Sequence, residues 1–301
     1  MKCGFVALIG RPNAGKSTLL NRLVGQKIAI VSDKPQTTRN RITGVRNMPG
    51  GQIIFVDTPG VHRPLHRLNV RMVDAALEAM REVDVVTAVV DASEPPGAGT
   101  RYLMNLMAQT DVPRVLALNK IDLLPRPQLL PLIELYSRDA QFADIVPVSA
   151  LTGENVDRLE AVLLSHLPEG EPLYDDEHLT DQPERFFVAE LVREQVLRHT
   201  HAELPFATAV VVDRFEEPDE RGLMRLYCTI LVERPSQKAI VVGKRGAMIK
   251  AIGTAAREEL ERFFGARVFL DLRVKVRADW REDERVLDEI GLPRSRRSRR
   301  Q

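Results

Sequence analysis

The stretch Gly10-Arg11-Pro12-Asn13-Ala14-Gly15-Lys16-Ser17 has the spacing G-x-x-x-x-G-K-S, and its setting decides the fold. Ahead of it, Gly4–Ile9 holds a buried-strand run. Behind it, Thr18–Val24 spaces apolar residues as a helix does and stops at Gly25. Strand, glycine-rich turn and helix in that order form a phosphate-binding loop. Glycines let successive backbone N–H groups curl round an anion that side chains would obstruct. The helix behind them turns its positive end to the same anion. Lys16 is placed to reach the outer phosphates, and the Ser17 hydroxyl to ligate Mg²⁺.

Strand-like and helix-like segments alternate as far as position 167. Arg41–Asn47 and Gln52–Val56 are strands about a Pro49-Gly50-Gly51 turn. Asn69–Glu82, Thr100–Gln109, Pro127–Tyr136 and Asn155–Leu167 have helical periodicity. Val83–Val90, Pro113–Leu118 and Ile145–Val148 are apolar strands. The alternation predicts a doubly wound, mostly parallel α/β sheet. Its ligand belongs at the carboxyl ends of the strands.

Further motifs stand at those ends. Asp57-Thr58-Pro59-Gly60 puts an acid where it can hold Mg²⁺ and a glycine N–H where it can meet a γ-phosphate. Asn119-Lys120-Ile121-Asp122 offers a carboxylate to the N1–H and exocyclic amine of guanine. Adenine lacks that donor pair, so the site discriminates sharply. Lys120 is placed along the base, and Asn119 to tie this loop to the phosphate loop. Ser149-Ala150 offers a backbone N–H to the guanine O6. The polar segment 26–39, with Thr37-Thr38, is either a surface loop or a switch whose threonine ligates the metal and senses the γ-phosphate.

The 301 residues allow two domains, each with a core. A formal net charge of +1 excludes a uniformly polybasic protein, so attraction to RNA or membrane must be local. Cys3 and Cys228 lie in apolar runs and are expected as buried free thiols, which suits a reducing compartment. Residues 1–10 lack a cleavage site, and no apolar run reaches the length of a membrane span.

Residues 168–183 are acidic and proline-containing and are expected as an extended linker. From 184 to 292 the order is helix 184–201, strands 207–215 and 223–232, helix 236–242, Gly243-Lys244-Arg245-Gly246, helix 247–264 and strand 266–276. That is the order of an α+β type II KH domain, which binds single-stranded RNA. Lys238, Gly243, Lys244, Arg245, Gly246 and Lys250 are the candidate RNA contacts. The alternative for each cation is a solvated surface charge. Residues 293–301, arginine-rich, are expected as a disordered basic tail, serving RNA affinity or solubility alike.

The motifs G-R-P-N-A-G-K-S, T-T, D-T-P-G, N-K-I-D and S-A in this order resemble those of translation-factor-type small GTPases. Joined to the KH pattern and to Leu231–Arg234, Gln237–Gly246, Ile252–Arg257 and Val274–Arg277 before Trp280, they resemble the bacterial Era family over the whole chain. The resemblance implies a GTPase (G) domain at 1–167 and a KH domain at 184–292. It implies GTP/GDP contacts at Gly10, Arg11, Pro12, Asn13, Ala14, Gly15, Lys16, Ser17, Thr18, Asp57, Thr58, Pro59, Gly60, Asn119, Lys120, Asp122, Ser149 and Ala150. The Mg²⁺ ligands are then Ser17, Asp57 and, of the switch pair Thr37 and Thr38, Thr38.

It further implies slow GTP hydrolysis, binding of the 3′-end region of small-subunit ribosomal RNA, and assistance in assembling that subunit. A monomer in the cytoplasm is expected, with peripheral contact on the inner face of the membrane. Ras-like GTPases carry a water-orienting glutamine where this chain has Val61, so no catalytic base is assigned. By resemblance to GTPases with that replacement, Asn13 is a candidate K⁺ ligand; a loop-stabilising amide is its other reading. An RNA-binding GTPase acting in tRNA modification is the alternative function. It would need a reactive group such as a cysteine, and Cys228 has no His or Lys nearby in sequence to activate it.

Overall fold

Strands made of unbroken apolar runs are stable only where both faces are covered. In the computed structural model, which describes residues 1–34, 36–61, 66–138, 142–201 and 204–292, such runs form the middle of a six-stranded sheet. Its strands are β1 (Lys2–Gly10), β2 (Ile42–Met48), β3 (Gly51–Asp57), β4 (Val85–Asp91), β5 (Arg114–Asn119) and β6 (Asp144–Pro147). The order is β2-β3-β1-β4-β5-β6; only β2 runs antiparallel to its neighbour.

The connecting helices are α1 (Lys16–Val24), α2 (Arg67–Arg81), α3 (Ala98–Met107), α4 (Leu129–Arg138) and α5 (Val156–His166). Ala7, Ile9 and Val56 join Ala76, Met80, Leu103, Met107 and Tyr136 in one buried cluster, which fixes α2, α3 and α4 to one face. Leu8 alternates to the other face; there α1 and α5 contact β1 and β3 and bury Leu19, Leu23, Leu159 and Leu163. The expected doubly wound sheet is therefore present, and the parallel strands open their carboxyl ends on one edge.

The chain divides into two compact units. The first runs from Met1 to Val31, resumes at Thr38 and continues from Asn69 to Asp181. The second holds Ser32–Thr37, His66–Leu68 and the chain from Gln182 onward. The expected linker 168–183 is therefore corrected: as far as Asp181 it is laid on the first unit. Gln52, fully buried, accepts the N–H groups of Leu173 (2.8 Å) and Tyr174 (3.0 Å) at Oε1 and donates to the Tyr174 carbonyl (2.7 Å). Val45 N–H reaches the Leu179 carbonyl (2.8 Å), and Thr180 Oγ1 the Thr43 carbonyl (2.6 Å). The cause is edge strand β2, whose outward backbone groups need partners. Composition records none of this, because the bonds are made largely by backbone.

The second unit contains α6 (Glu184–His199), α7 (Leu204–Ala207), β7 (Ala209–Glu216), β8 (Leu223–Val232), α8 (Pro235–Val242), α9 (Ala247–Phe264), β9 (Arg267–Val276) and α10 (Glu284–Glu289). β8 is central, antiparallel to β7 and parallel to β9. Helix α6 stops at His199, short of the expected 201, because Thr200 turns extended and its hydroxyl takes the Val196 carbonyl (2.7 Å). Trp280 is fully buried and donates from Nε1 to the Ala207 carbonyl (2.9 Å). Within this unit, Arg193 grips Glu190 through two nitrogens (2.7 and 2.6 Å) and also donates to the Thr37 carbonyl. The expected tail 293–301 lies outside the described residues.

Replacing Gln52 by Leu keeps the volume but strands part-buried backbone groups of the 168–181 segment. It should lower unfolding free energy by about 2 kcal/mol and make this segment the first site of limited proteolysis. Denaturant titration and mapping of the cleavage products check both.

Candidate functional site

The phosphate loop leaves β1 at Gly10 and enters α1 at Lys16. Its glycines are fixed by close approach. A Cβ on Gly15, which has φ +92°, would lie 2.3 Å from Asn119 Nδ2; one on Gly60 would lie 2.7 Å from the Pro12 nitrogen. No side chain caps α1 and no acid stands in its first turn. The loop therefore offers helix N–H groups and a positive dipole end to an anion. Lys16 is buried, its Nζ donating to the carbonyls of Arg11 (3.0 Å) and Gly10 (3.3 Å). Burial pushes its pKa down, opposed by the charge of Asp57.

Ser17, Thr38 and Asp57 converge beside it. Ser17 Oγ lies 2.6 Å from both Thr38 Oγ1 and Asp57 Oδ2, and Thr38 Oγ1 is 3.5 Å from that carboxylate oxygen. Asp57 is fully buried, and burial raises its pKa to about 6 against the pull of Lys16 and the Ser17 hydroxyl. Its second oxygen, Oδ1, is buried without a hydrogen-bond partner. Hard oxygens gathered round an unsatisfied carboxylate fit a small divalent cation such as Mg²⁺. Thr37 is not part of this group; its hydroxyl donates to the Lys34 carbonyl (2.5 Å). Val61 is buried in the apolar cluster beneath α2, and its N–H goes to the Gly10 carbonyl (3.0 Å), so its side chain brings no polar group to the phosphate edge.

The loops after β5 and β6 are laced to the phosphate loop by Asn119. Its Nδ2 donates to the Ala14 carbonyl (2.8 Å), and its Oδ1 accepts the Ala150 N–H (2.9 Å). Ser149 Oγ holds Asp122 Oδ1 (2.6 Å) while Asp122 remains exposed. Lys120, left-handed at φ +68°, extends its ammonium to Asp91 at the end of β4. Sequence reasoning passed over Asp91, although an acid ends the apolar run of β4 just as Asp57 ends that of β3.

In the second unit, Lys244–Gly246 form one tight turn between α8 and α9. Gly243 (φ +72°) admits no side chain, since a Cβ would meet the Met248 backbone nitrogen at 2.8 Å; Arg245 and Gly246 are left-handed. The turn brings Lys244 and Arg245 to the start of α9. Lys238, on α8, and Lys250, on α9, are exposed like them, and none of the four pairs with a carboxylate among the described residues. Cys228 is buried, and burial first, then Asp213, pushes its thiol up to about 12. It is a core residue and a poor nucleophile. Cys3 is a buried free thiol as well.

Comparison with known proteins completes the picture. The family described as 50S ribosome-binding GTPase matches residues 5–120, and the KH domain family matches 203–281. GTPase Era of Geobacter metallireducens is 51% identical over 290 residues, covering 96% of this chain and 97% of its own. The chain belongs to the Era family of GTPases. Era of Leuconostoc citreum is 48% identical over 96% of both chains. Two Era crystal structures, each 39% identical, match with a TM-score of 0.94 over 98% of this chain and 100% of theirs. One is a variant of Aquifex aeolicus Era bound to GDP·AlF4⁻; the other is Era in complex with MgGDPNP and nucleotides 1506–1542 of 16S ribosomal RNA. As an Era-family member this protein is a GTPase, built of a P-loop GTPase sheet followed by a KH domain.

Asn119 bonds two loops at once, so Asn119→Ala should weaken GDP and GTP binding alike, by about tenfold or more. Isothermal titration with each nucleotide measures it; unchanged affinities would show that the lacing does not shape the site.

Proposed function

We propose that this GTPase is a nucleotide-controlled RNA-binding protein that takes the 3′-end region of small-subunit ribosomal RNA on its KH domain and assists assembly of that subunit. The observation that carries the reading is the match, along essentially the whole chain, to Era holding MgGDPNP and a 16S ribosomal RNA segment. The unpaired cations about the Gly243–Gly246 turn support it, because a helix N-terminus flanked by lysines is built for a phosphate chain.

Within this proposal the phosphate loop, Gly10 to Thr18, takes the phosphates of GTP. Asp57 to Gly60 flank the γ-phosphate, and Asn119, Lys120, Asp122, Ser149 and Ala150 form the guanine site. Ser17 and Thr38 would hold Mg²⁺, with Asp57 beside it. The cation neutralises charge developing on the phosphates. Thr38 stands at that group while the carbonyl of its neighbour Thr37 is held by Arg193. Thr38 is the residue whose surroundings would change on loss of the γ-phosphate. Asn13, left-handed and exposed in the phosphate loop, is the proposed K⁺ ligand, acting where a glutamine side chain is missing.

Three measurements test this. Affinity for a short RNA from the small-subunit 3′ end should be higher with a non-hydrolysable GTP analogue than with GDP or no nucleotide, at fixed salt. Equal affinity in all three states breaks the control mechanism, and no binding removes the RNA assignment. Asp122→Asn should move preference from guanine toward xanthine nucleotides, read by competition against labelled GDP. Hydrolysis should be markedly faster in K⁺ than in Na⁺; equal rates sink the Asn13 role.

A further inference from the structure

The carboxylate of Asp91 touches the base-binding loop from outside that loop's own motif. β4 and β5 are parallel neighbours, and Asp91 is the register partner of Asn119. The Ala92 N–H donates to the Asn119 carbonyl (2.8 Å), so the two strand ends are tied by backbone. Beyond that tie the next residue, Lys120, is left-handed, which sends its side chain back across β4. There Asp91 Oδ2 takes the Lys120 ammonium at 2.5 Å. The other oxygen, Oδ1, accepts the N–H (2.9 Å) and the hydroxyl (2.6 Å) of Ser93. Both oxygens are therefore committed, and the carboxylate cannot swing away from the lysine. The Asp91 side chain is 12% exposed and that of Lys120 31%, so the pair is screened far less than a surface ion pair.

We infer that Asp91 is a positioning residue for the GTP site: it clamps the far end of Lys120 so that the aliphatic stem is laid out as a fixed wall for the nucleotide. Burial works against the Asp91 charge, but the Lys120 and Ser93 donors outweigh it and hold its pKa below the usual carboxylate range, so the clamp stays ionised at neutral pH. A long lysine stem left free would have to be ordered each time a nucleotide binds. Clamped in advance, it adds nothing to the entropy of binding. The effect is the same in ground and transition states, so it acts on nucleotide retention and on KM rather than on kcat. It leaves base choice alone, because Asp91 touches neither Asp122 nor the Ser149-Ala150 turn. The inference rests on Lys120 lying against the bound nucleotide, as proposed above.

The test is a double-mutant cycle on the full-length protein, reading release of a fluorescent GDP analogue and steady-state GTP hydrolysis. Asp91→Asn keeps the shape and can still accept from Ser93, but puts an amide against the ammonium. It should speed GDP release by about tenfold, raise KM for GTP similarly and leave kcat within about twofold. Lys120→Ala should do at least as much. The double variant should release GDP no faster than Lys120→Ala alone, since the clamp then has nothing to hold. If Asp91→Asn speeds release equally in the Lys120→Ala background, Asp91 acts through the fold and not through the lysine, and the proposal falls. An effect of Lys120→Ala with none of Asp91→Asn removes the clamp but leaves the base site. No effect of Lys120→Ala on release removes the proposed place of Lys120 and the clamp with it.

Discussion

Two opposite charges, Lys16 and Asp57, are both buried at the carboxyl edge of the sheet, and the first unit is arranged round that fact. Either charge alone would be driven toward its neutral form. Each opposes the shift that burial imposes on the other, and burial prevails: the pKa of Asp57 stays raised and that of Lys16 lowered. Oδ1 of Asp57 is left without a donor. A core finished for stability would replace such a pair by packed hydrocarbon. What remains instead are two charges whose chemistry suits an anion at the lysine and a cation at the carboxylate.

The rest of the edge is built to keep that pair in place. Parallel strands deliver Gly10, Asp57, Asp91 and Asn119 to one side of the sheet, and each is followed by a turn with little freedom. Gly15 yields to Asn119 Nδ2, and Gly60 yields to Pro12, so the phosphate loop is wedged between its neighbours. Asn119 then links the Ala14 carbonyl to the Ala150 N–H, making one rigid frame from three loops far apart in sequence. Rigid frames of this kind reduce the ordering a ligand must provide when it binds.

Much of this was legible before any coordinates. Strand runs of Val, Ile and Leu between helical patterns fix the sheet, and the acids, glycines and amides at their ends carry chemistry with spacing that turns alone do not need. The KH order was legible too, since its first two strands alternate and its paired helices straddle Gly243–Gly246. What escaped was whatever depends on backbone partners or on one side chain among many. Residues 168–181 look like a solvated acidic linker, yet their backbone groups complete Gln52 and edge strand β2. Asp91 looks like a solvated strand end, yet β4 and β5 sit in register and Lys120 is left-handed. Thr37 and Thr38 are chemically identical, and only the path of the chain decides which hydroxyl turns to Ser17.

That last pair puts two identical side chains to two different uses. The two hydroxyls have different partners, so the adjacent threonines serve two different surroundings. Thr38 shares its hydroxyl with Ser17 and Asp57. Thr37 spends its hydroxyl on the Lys34 carbonyl and its own carbonyl on Arg193, a guanidinium already committed to Glu190 and fully enclosed. A buried arginine with a fixed fork tolerates little displacement of its acceptor. The Thr37 carbonyl is therefore held in place from the side of Arg193. For the nucleotide control proposed above, what counts is whether the two nucleotide states differ in free energy at this carbonyl, since a ligand biases another site only through such a difference.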